Sequence, residues 1–248
     1  MKILDMDAGN TRLKWRLLRG GEVTDAGFIA NSESWSEALP GLLDRCGAID
    51  AARASIVSGN CRLDSLKNLI RQCSGVELQV ARTQKSHGAV RVAYTDAERL
   101  GVDRWLTLLA AHELGGDCHK MIVDCGTAMT VDVLDSQGLH QGGYIVPGLR
   151  LMKGALAVNT ADLDIVEHSA HATDLGTVTE DCINHGVLAM AVALVNSVQN
   201  RNAGSRVFLT GGDAPRLLPH INSYIEGRVI HVPDLVLDGL AIAFRRST

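Results

Sequence analysis

Apolar residues in the first half of the chain follow two spacings, one typical of strands and one typical of helices. Short runs in which every second residue is apolar, or in which all are, predict strands. Longer segments with apolar residues three and four positions apart predict amphipathic helices. Asn31 or Ser32 is expected to cap the first of these helices. The predicted strands cover residues 2–7, 12–19, 22–30, 54–59 and 76–81, and the predicted helices cover about 33–46, 63–73 and 97–115.

The second half of the chain opens with the same order of elements. Residues 120–148 predict three successive strands, two of them joined by a turn that contains glycine. A long helix is predicted at about 179–200, a strand at 206–212 and a final helix at 235–246. This alternation of strands and helices is typical of an α/β protein. The residues expected on the apolar face of the long helix are Ile183, Val187, Met190, Ala191, Leu194 and Val198.

Two apolar strands end in the same short pattern, an aspartate followed by any residue and a glycine. The first is ILDMDAGNT, which contains Asp7, and the second is MIVDCGTAMT, which contains Asp124. A Gly/Asn turn between strands is by itself typical of a plain hairpin. The alternative is that the N–H groups of the turn bind phosphate while the aspartate faces a metal ion. Because the pattern recurs at equivalent points of two similar halves, we interpret it as a duplicated nucleotide-binding domain with a cleft between the copies.

A third glycine-rich junction follows the predicted strand at 206–212, in the sequence FLTGGDAPRL. Gly211 and Gly212 would allow a flat or phosphorylated ligand to approach the backbone closely. Asp213 can cap the helix that follows. Junctions of this kind are common as plain connections between a strand and a helix. This one indicates a ligand site only in combination with the two Asp-x-Gly turns.

Composition and charge narrow the class of protein. The 248 residues are 46% hydrophobic and 21% charged, as in ordinary globular enzymes, and their net charge of -4 gives no reason to expect nucleic acid or an anionic membrane as partner. No apolar stretch is expected to span a membrane and no signal peptide is recognised, so a cytoplasmic location is expected. The six cysteines form no C-x-x-C pair and predict free thiols, Cys125 among them as a packing residue. His168 and His171 have a spacing that could suit a metal, but a surface loop is favoured.

In order and spacing these motifs resemble those of the type III pantothenate kinases, a family of the acetate/sugar kinase, Hsp70 and actin superfamily. DAGNTRLKW is similar to the first phosphate loop of that family, DCGTAMTVDVLDSQGLHQGGYIVPG to its second, and LTGGDA to its adenosine-side loop. GVDR at residues 101–104 resembles the G-x-D-R substrate motif of the family. The resemblance covers nearly the whole chain. It implies two ribonuclease H-like (actin-like ATPase) domains, at residues 1–115 and 116–248, with an interdomain cleft.

The resemblance also implies an activity, the ATP-dependent phosphorylation of the primary hydroxyl of pantothenate, which is the first step toward coenzyme A. It implies that Asp103 is the catalytic base, that Asp7 faces Mg²⁺ directly or through water, and that Asp124 holds a monovalent cation, K⁺ or NH₄⁺. It further implies a homodimer in which Thr179 reaches pantothenate across the subunit interface. The residues it assigns to ATP are Asp7, Ala8, Gly9, Asn10, Thr11, Arg12, Leu13, Lys14 and Thr127, and those it assigns to pantothenate are Tyr94, Gly101, Val102, Asp103, Arg104 and Thr179.

The chain departs from the family pattern at one point, and two other functions are possible within the superfamily. Many members of the family follow the substrate-contacting tyrosine with Asn-Pro, whereas this chain has YTDAERLGVDR after residue 93. A phosphatase or hydrolase of the same superfamily would need a positioned water instead of the GVDR motif. A regulator that kept only the fold should have lost one of the carboxylates at Asp7, Asp103 and Asp124, and all three are present.

Overall fold

The computed structural model describes residues 1–57, 59–159, 172–222 and 228–245. The chain forms two compact units, the first built from residues 1–88, 94–110 and 235–248 and the second from residues 89–93 and 111–234. The last helix therefore belongs to the first unit, whereas the sequence-based division at residue 115 assigned it to the second domain. His168 and His171 lie outside the described residues.

The described residues form strands and helices in alternation along most of the chain. The strands are β1 (Lys2–Ala8), β2 (Arg12–Arg19), β3 (Glu22–Ala30), β4 (Ala51–Ile56), β5 (Leu78–Val80), β6 (Ser86–His87), β7 (Val90–Arg91), β8 (Lys120–Cys125), β9 (Ala128–Leu134), β10 (His140–Pro147), β11 (Arg206–Thr210) and β12 (Val229–His231). The helices are α1 (Trp35–Cys46), α2 (Asn60–Ser74), α3 (Val102–Gly115), α4 (Leu149–Asn159), α5 (Thr179–Arg201), α6 (Ala214–Asn222) and α7 (Leu235–Ala243).

The two five-stranded sheets have the same topology. The strand order is β3-β2-β1-β4-β5 in the first unit and β10-β9-β8-β11-β12 in the second. In each sheet the first three strands of the chain pair antiparallel, and the remaining two run parallel to the first. The duplication predicted from the sequence is thus present strand by strand, and the α/β fold class is confirmed.

The first sheet has one apolar face and one charged face. Because side chains alternate along a strand, Leu4 and its even-numbered neighbours on β1 pack against α1 and α2, while Asp5 points to the opposite face. There Asp5 is fully buried and accepts hydrogen bonds from Arg53, at 2.6 Å from Nε, and from Arg16. Arg16 also donates to Asp238 on α7, at 2.6 Å. This charged layer holds the last helix against the first sheet.

The core of the second unit is formed by β8, β9, β11 and α5, together with residues of α4 and α6. The helix is present where the sequence predicts it, but its buried face is rotated from the predicted one, and Met190 is 65% exposed. By length and composition alone α5 is apolar enough to cross a membrane, contrary to expectation. Its buried residues pack in the core of the unit: Asn184, Val187, Leu188, Ala191, Val192, Val195, Val198 and Gln199.

Three local predictions need correction. The helix expected from Ala97 begins at Val102, because residues 97–99 form a separate 3₁₀ turn and Leu100 is extended. Helix α1 begins at Trp35 after Ser34, so neither Asn31 nor Ser32 is its cap. Helix α4 and strand β12 are present although the sequence pattern did not predict them.

Candidate active site

The first turn, residues 9–11 between β1 and β2, is not an ordinary tight hairpin turn. Gly9 N–H donates to the Arg12 carbonyl at 3.1 Å. A two-residue hairpin of type I′ or II′ needs positive φ in at least one central residue, and no residue from 8 to 12 has it. Asn31, which directly follows β3, donates from its backbone N–H to the Thr11 carbonyl and from Nδ2 to the Gly9 carbonyl, both at 2.9 Å.

The sheet register aligns three polar side chains beside the first turn. Asp7 on β1 is paired with Lys14 on β2 and with Ser55 on β4, so the three lie in one row on the same face of the sheet. Ser55 is fully buried, and its Oγ has no hydrogen-bond partner among the described residues. Of the other residues expected to bind ATP, Ala8 and Leu13 are fully buried in the core, so they can offer a ligand only their backbone.

The second turn, residues 126–127 between β8 and β9, has the same two backbone hydrogen bonds as the first. Gly126 N–H donates to the Ala128 carbonyl at 3.0 Å, as Gly9 does to Arg12. Gly148, directly after β10, donates to the Thr127 carbonyl at 3.0 Å, as the residue after β3 does to Thr11. The two turns therefore share two backbone hydrogen bonds, although the first is one residue longer and also accepts a side-chain hydrogen bond, from Asn31 Nδ2 to the Gly9 carbonyl.

The third junction packs directly against Asp124. Gly211 has a φ of 93°, and a Cβ built there would lie 2.5 Å from Asp124 Oδ1 and 2.5 Å from the Cys125 carbonyl oxygen. Asp213 N–H donates to that same carbonyl at 2.9 Å. In the sheet Asp124 is paired with Thr210, the last residue of β11. Only glycine therefore fits at residue 211, and the backbone after β11 packs directly on the end of β8 beside the carboxylate.

Cys125 is a packing residue, as predicted. Its side chain belongs to the core of the second unit, and burial, followed by the charge of Asp124, raises the pKa of the thiol well above its usual range. The thiol stays protonated near neutral pH and is not an activated nucleophile.

The GVDR segment and Tyr94 lie together in the first unit. Asp103 is in the first turn of α3, where its Oδ1 accepts a hydrogen bond from Arg104 N–H at 2.8 Å. Arg104 is 5% exposed, and its Nη1 donates to the Tyr94 hydroxyl at 3.1 Å. We call Tyr94, Asp103 and Arg104 the Tyr94 cluster.

Local contacts hold the loop that departs from the family pattern. Lys85 Nζ donates to the Tyr94 carbonyl at 2.7 Å. Asp96 caps the 3₁₀ turn that follows, accepting from Glu98 N–H at 3.2 Å. These contacts fix the chain between Tyr94 and α3 without the Asn-Pro pair.

The remaining predicted site residues belong to the second unit. Thr127 is half-buried in the second turn, and Thr179 is exposed at the start of α5. Asn31 and Ser55 are neighbours of the first turn that the sequence pattern did not indicate. Their signal was weak, because Asn31 resembled a helix cap and Ser55 lay within an apolar strand.

Two copies of one sheet, each with an Asp-x-Gly turn at the end of its first strand, define an actin-like ATPase fold. The activator of the 2-hydroxyisocaproyl-CoA dehydratase from Clostridium difficile, solved with bound ADPNP, has this fold, with a TM-score of 0.57 at 16% identity over 98% of this chain and 93% of that one. The type III pantothenate kinase family profile matches residues 3–201. The chain belongs to the type III pantothenate kinase family. It is 42% identical to the type III pantothenate kinase of Hahella chejuensis, covering 98% of this chain and 97% of that one, and 36% identical to that of Nitrosococcus oceani, covering 96% and 92%.

Proposed function

We infer that the protein transfers the terminal phosphoryl group of ATP to pantothenate, forming 4′-phosphopantothenate in the first step of coenzyme A biosynthesis. Within the site, the observation that best supports this activity is the Tyr94 cluster, found in a chain of this family. It puts a carboxylate, a guanidinium and a phenol within one short segment.

Asp103 is the proposed catalytic base. The transition state of phosphoryl transfer is loose, so catalysis rests mainly on positioning and on neutralising charge. The Asp103 carboxylate orients the primary hydroxyl of pantothenate and accepts its proton late, as the new O–P bond forms. Arg104 and Tyr94 bind the substrate beside it, together with the backbone of Gly101 and Val102.

The first turn is the proposed site for the phosphates of ATP and for Mg²⁺. Bound Mg²⁺ would neutralise charge on the phosphate oxygens. Asp7 and the buried, unsatisfied Oγ of Ser55 fit it, because Mg²⁺ prefers oxygen ligands. Among the described residues there is no group of three or more His, Cys, Asp or Glu that could hold a metal. Lys14 supplies a cation in the same row.

The second turn is the proposed site for a monovalent cation, K⁺ or NH₄⁺. The fit rests on Asp124 and the Cys125 carbonyl, two oxygen-bearing groups beside a position that only glycine can occupy. Thr127 is proposed to contact ATP from the same turn.

A cytoplasmic homodimer is proposed as the active form. Thr179 and Met190 are exposed on α5, and an isologous pairing of this helix would cover the apolar surface and bring Thr179 to the partner's substrate. Light scattering at assay concentration tests this, since an active monomer would overturn it.

The activity is tested by coupled measurement of ADP release with and without pantothenate, with the product identified by mass spectrometry. A kinase releases ADP only when pantothenate is present and transfers phosphate to that acceptor. Release of ADP and inorganic phosphate without an acceptor would instead indicate a hydrolase, and the absence of both would indicate a regulator.

A further inference from the structure

Asn31 holds the first turn at two points. Its backbone N–H binds the Thr11 carbonyl and its Nδ2 binds the Gly9 carbonyl, each at 2.9 Å. Both acceptors belong to the turn, and both donors belong to one residue at the end of the neighbouring strand β3. Asn31 therefore fixes two of the peptide groups in the turn.

This arrangement replaces the usual closure of a hairpin. In a two-residue hairpin the carbonyl of the first flanking residue accepts from the N–H of the second, here Gly9 and Arg12. Among the described residues the donor to the Gly9 carbonyl is instead the Asn31 amide. The turn thus has a hydrogen bond from Asn31 where a plain hairpin would have one from the Arg12 N–H to the Gly9 carbonyl.

The two bonds determine where the N–H groups of the turn point. A trans peptide is planar, and its C=O and N–H point in opposite directions. Since the Gly9 and Thr11 carbonyls point to Asn31, the N–H groups of Asn10 and Arg12 point away from it. Asn31 therefore fixes the orientation of both peptide groups, and with it the direction of these two backbone N–H donors.

The duplicated half braces its own turn in a different way. Gly148 occupies the position equivalent to Asn31 and donates its N–H to the Thr127 carbonyl at 3.0 Å. A Cβ at residue 148 would overlap the Gly126 carbonyl oxygen and lie 2.6 Å from the Thr127 oxygen. In the second unit the backbone itself packs on the turn, and in the first unit a side-chain amide fills the corresponding space. The two copies retain the brace although the residue differs.

We propose that Asn31 is a positioning residue that holds the first turn in its phosphate-binding shape. The inference rests on the proposed function, which assigns this turn to the phosphates of ATP. It adds a residue outside the Asp7–Lys14 segment to the nucleotide site. Without the Nδ2 donor, the peptide group between Gly9 and Asn10 would be free to rotate. The Asn10 N–H would then no longer be held in position to donate to a phosphate.

The test compares purified Asn31→Ala with the wild-type protein. Calorimetry measures the affinity of each protein for MgATP, and competition against MgATP measures the affinity for adenosine. We expect MgATP to bind about 3- to 10-fold more weakly, the range of one neutral hydrogen bond, and adenosine to bind equally well because it has no phosphate. The variant Asn31→Asp has a side chain of the same size and should weaken the binding of MgATP further, because it places a carboxylate near the Gly9 carbonyl and the phosphates. It also serves as the second variant if Asn31→Ala does not fold.

Asn202→Ala is the matched control. Asn202 Nδ2 donates to the Val198 carbonyl at 2.9 Å, so the change removes a bond of the same type and length at the end of α5. It should leave the affinity for MgATP unchanged. Equal MgATP affinity in the Asn31 variants and wild type, or equal weakening of MgATP and adenosine, would overturn the inference. Failure of the wild type itself to bind MgATP would overturn the proposed function.

Discussion

Arg104 donates a hydrogen bond to the Tyr94 hydroxyl oxygen at 3.1 Å, and its guanidinium carbon lies 5.8 Å from the centre of the Tyr94 ring. The phenol thus orients the buried arginine. A guanidinium fixed in this way can bind a carboxylate with little further loss of side-chain entropy. Pantothenate carries a carboxylate, so this pair is well suited to position it.

The first prediction concerns this pair. Tyr94→Phe keeps the ring but removes the oxygen that accepts from Arg104, and Arg104→Lys removes the planar guanidinium. Each should raise the KM for pantothenate about 10- to 100-fold, the range for one hydrogen bond to a charged group, and leave the KM for ATP nearly unchanged. Steady-state kinetics with each substrate varied in turn check this. Thr83→Val, which removes a hydroxyl bond to Leu100 in the same unit, is the control. Equal changes in both KM values would contradict the assignment.

Local periodicity was enough to predict most of the fold. The pattern of β1 to β3 recurs in β8 to β10, and the two Asp-x-Gly turns at equivalent points of these strands identified the duplication. The contacts that connect distant segments could not be predicted in this way. The pairing of Arg16 with Asp238, which binds α7 to the first sheet, joins residues 222 positions apart.

Asn31 shows the same limit within the site. A polar residue after a strand and before a helix is typical of a cap, and nothing in the neighbouring residues favours another role. Its partners, Gly9 and Thr11, become neighbours only when β3 pairs with β2. Ser55 likewise becomes a neighbour of Asp7 only through the register of two parallel strands.

The second prediction concerns the monovalent cation. Asp124→Asn should weaken both the use of ATP and the response of the rate to K⁺, because the neutral amide binds a cation poorly. Rates measured with KCl, NH₄Cl and Tris chloride at constant ionic strength check this. Asp135→Asn, in the turn between β9 and β10, is a control in the same unit. A wild-type enzyme that runs equally fast with Tris as its only counter-cation would contradict the assignment.

The third prediction concerns pH and stability. Burial, followed by the charge of Lys120, lowers the pKa of His112, and Asp117 and Asp135 oppose this in part. The pKa of His112 is therefore lower in the folded protein than the value of about 6.5 in the unfolded chain. As the pH falls from the unfolded pKa to the folded pKa, the unfolded chain binds more protons than the folded protein, and the free energy of unfolding decreases. His112→Gln should therefore lose less of its free energy of unfolding between pH 7.5 and 5 than the wild type. Urea unfolding at several pH values measures this, and parallel curves for the two proteins would refute it.

The last prediction concerns Asp103, for which two roles are compatible with its place in the first turn of α3. A carboxylate there can simply stabilise the helix through its dipole, by about 0.3–1 kcal/mol. The proposed role as base predicts instead that Asp103→Asn lowers kcat by about 10²- to 10⁴-fold, while ATP affinity and melting temperature change little. Asp96→Asn is the matched control, since Asp96 also accepts from a backbone N–H, at the start of the neighbouring 3₁₀ turn. If Asp103→Asn keeps near-wild-type kcat and changes only the melting temperature, as the control is expected to, then Asp103 stabilises the helix and another group receives the proton.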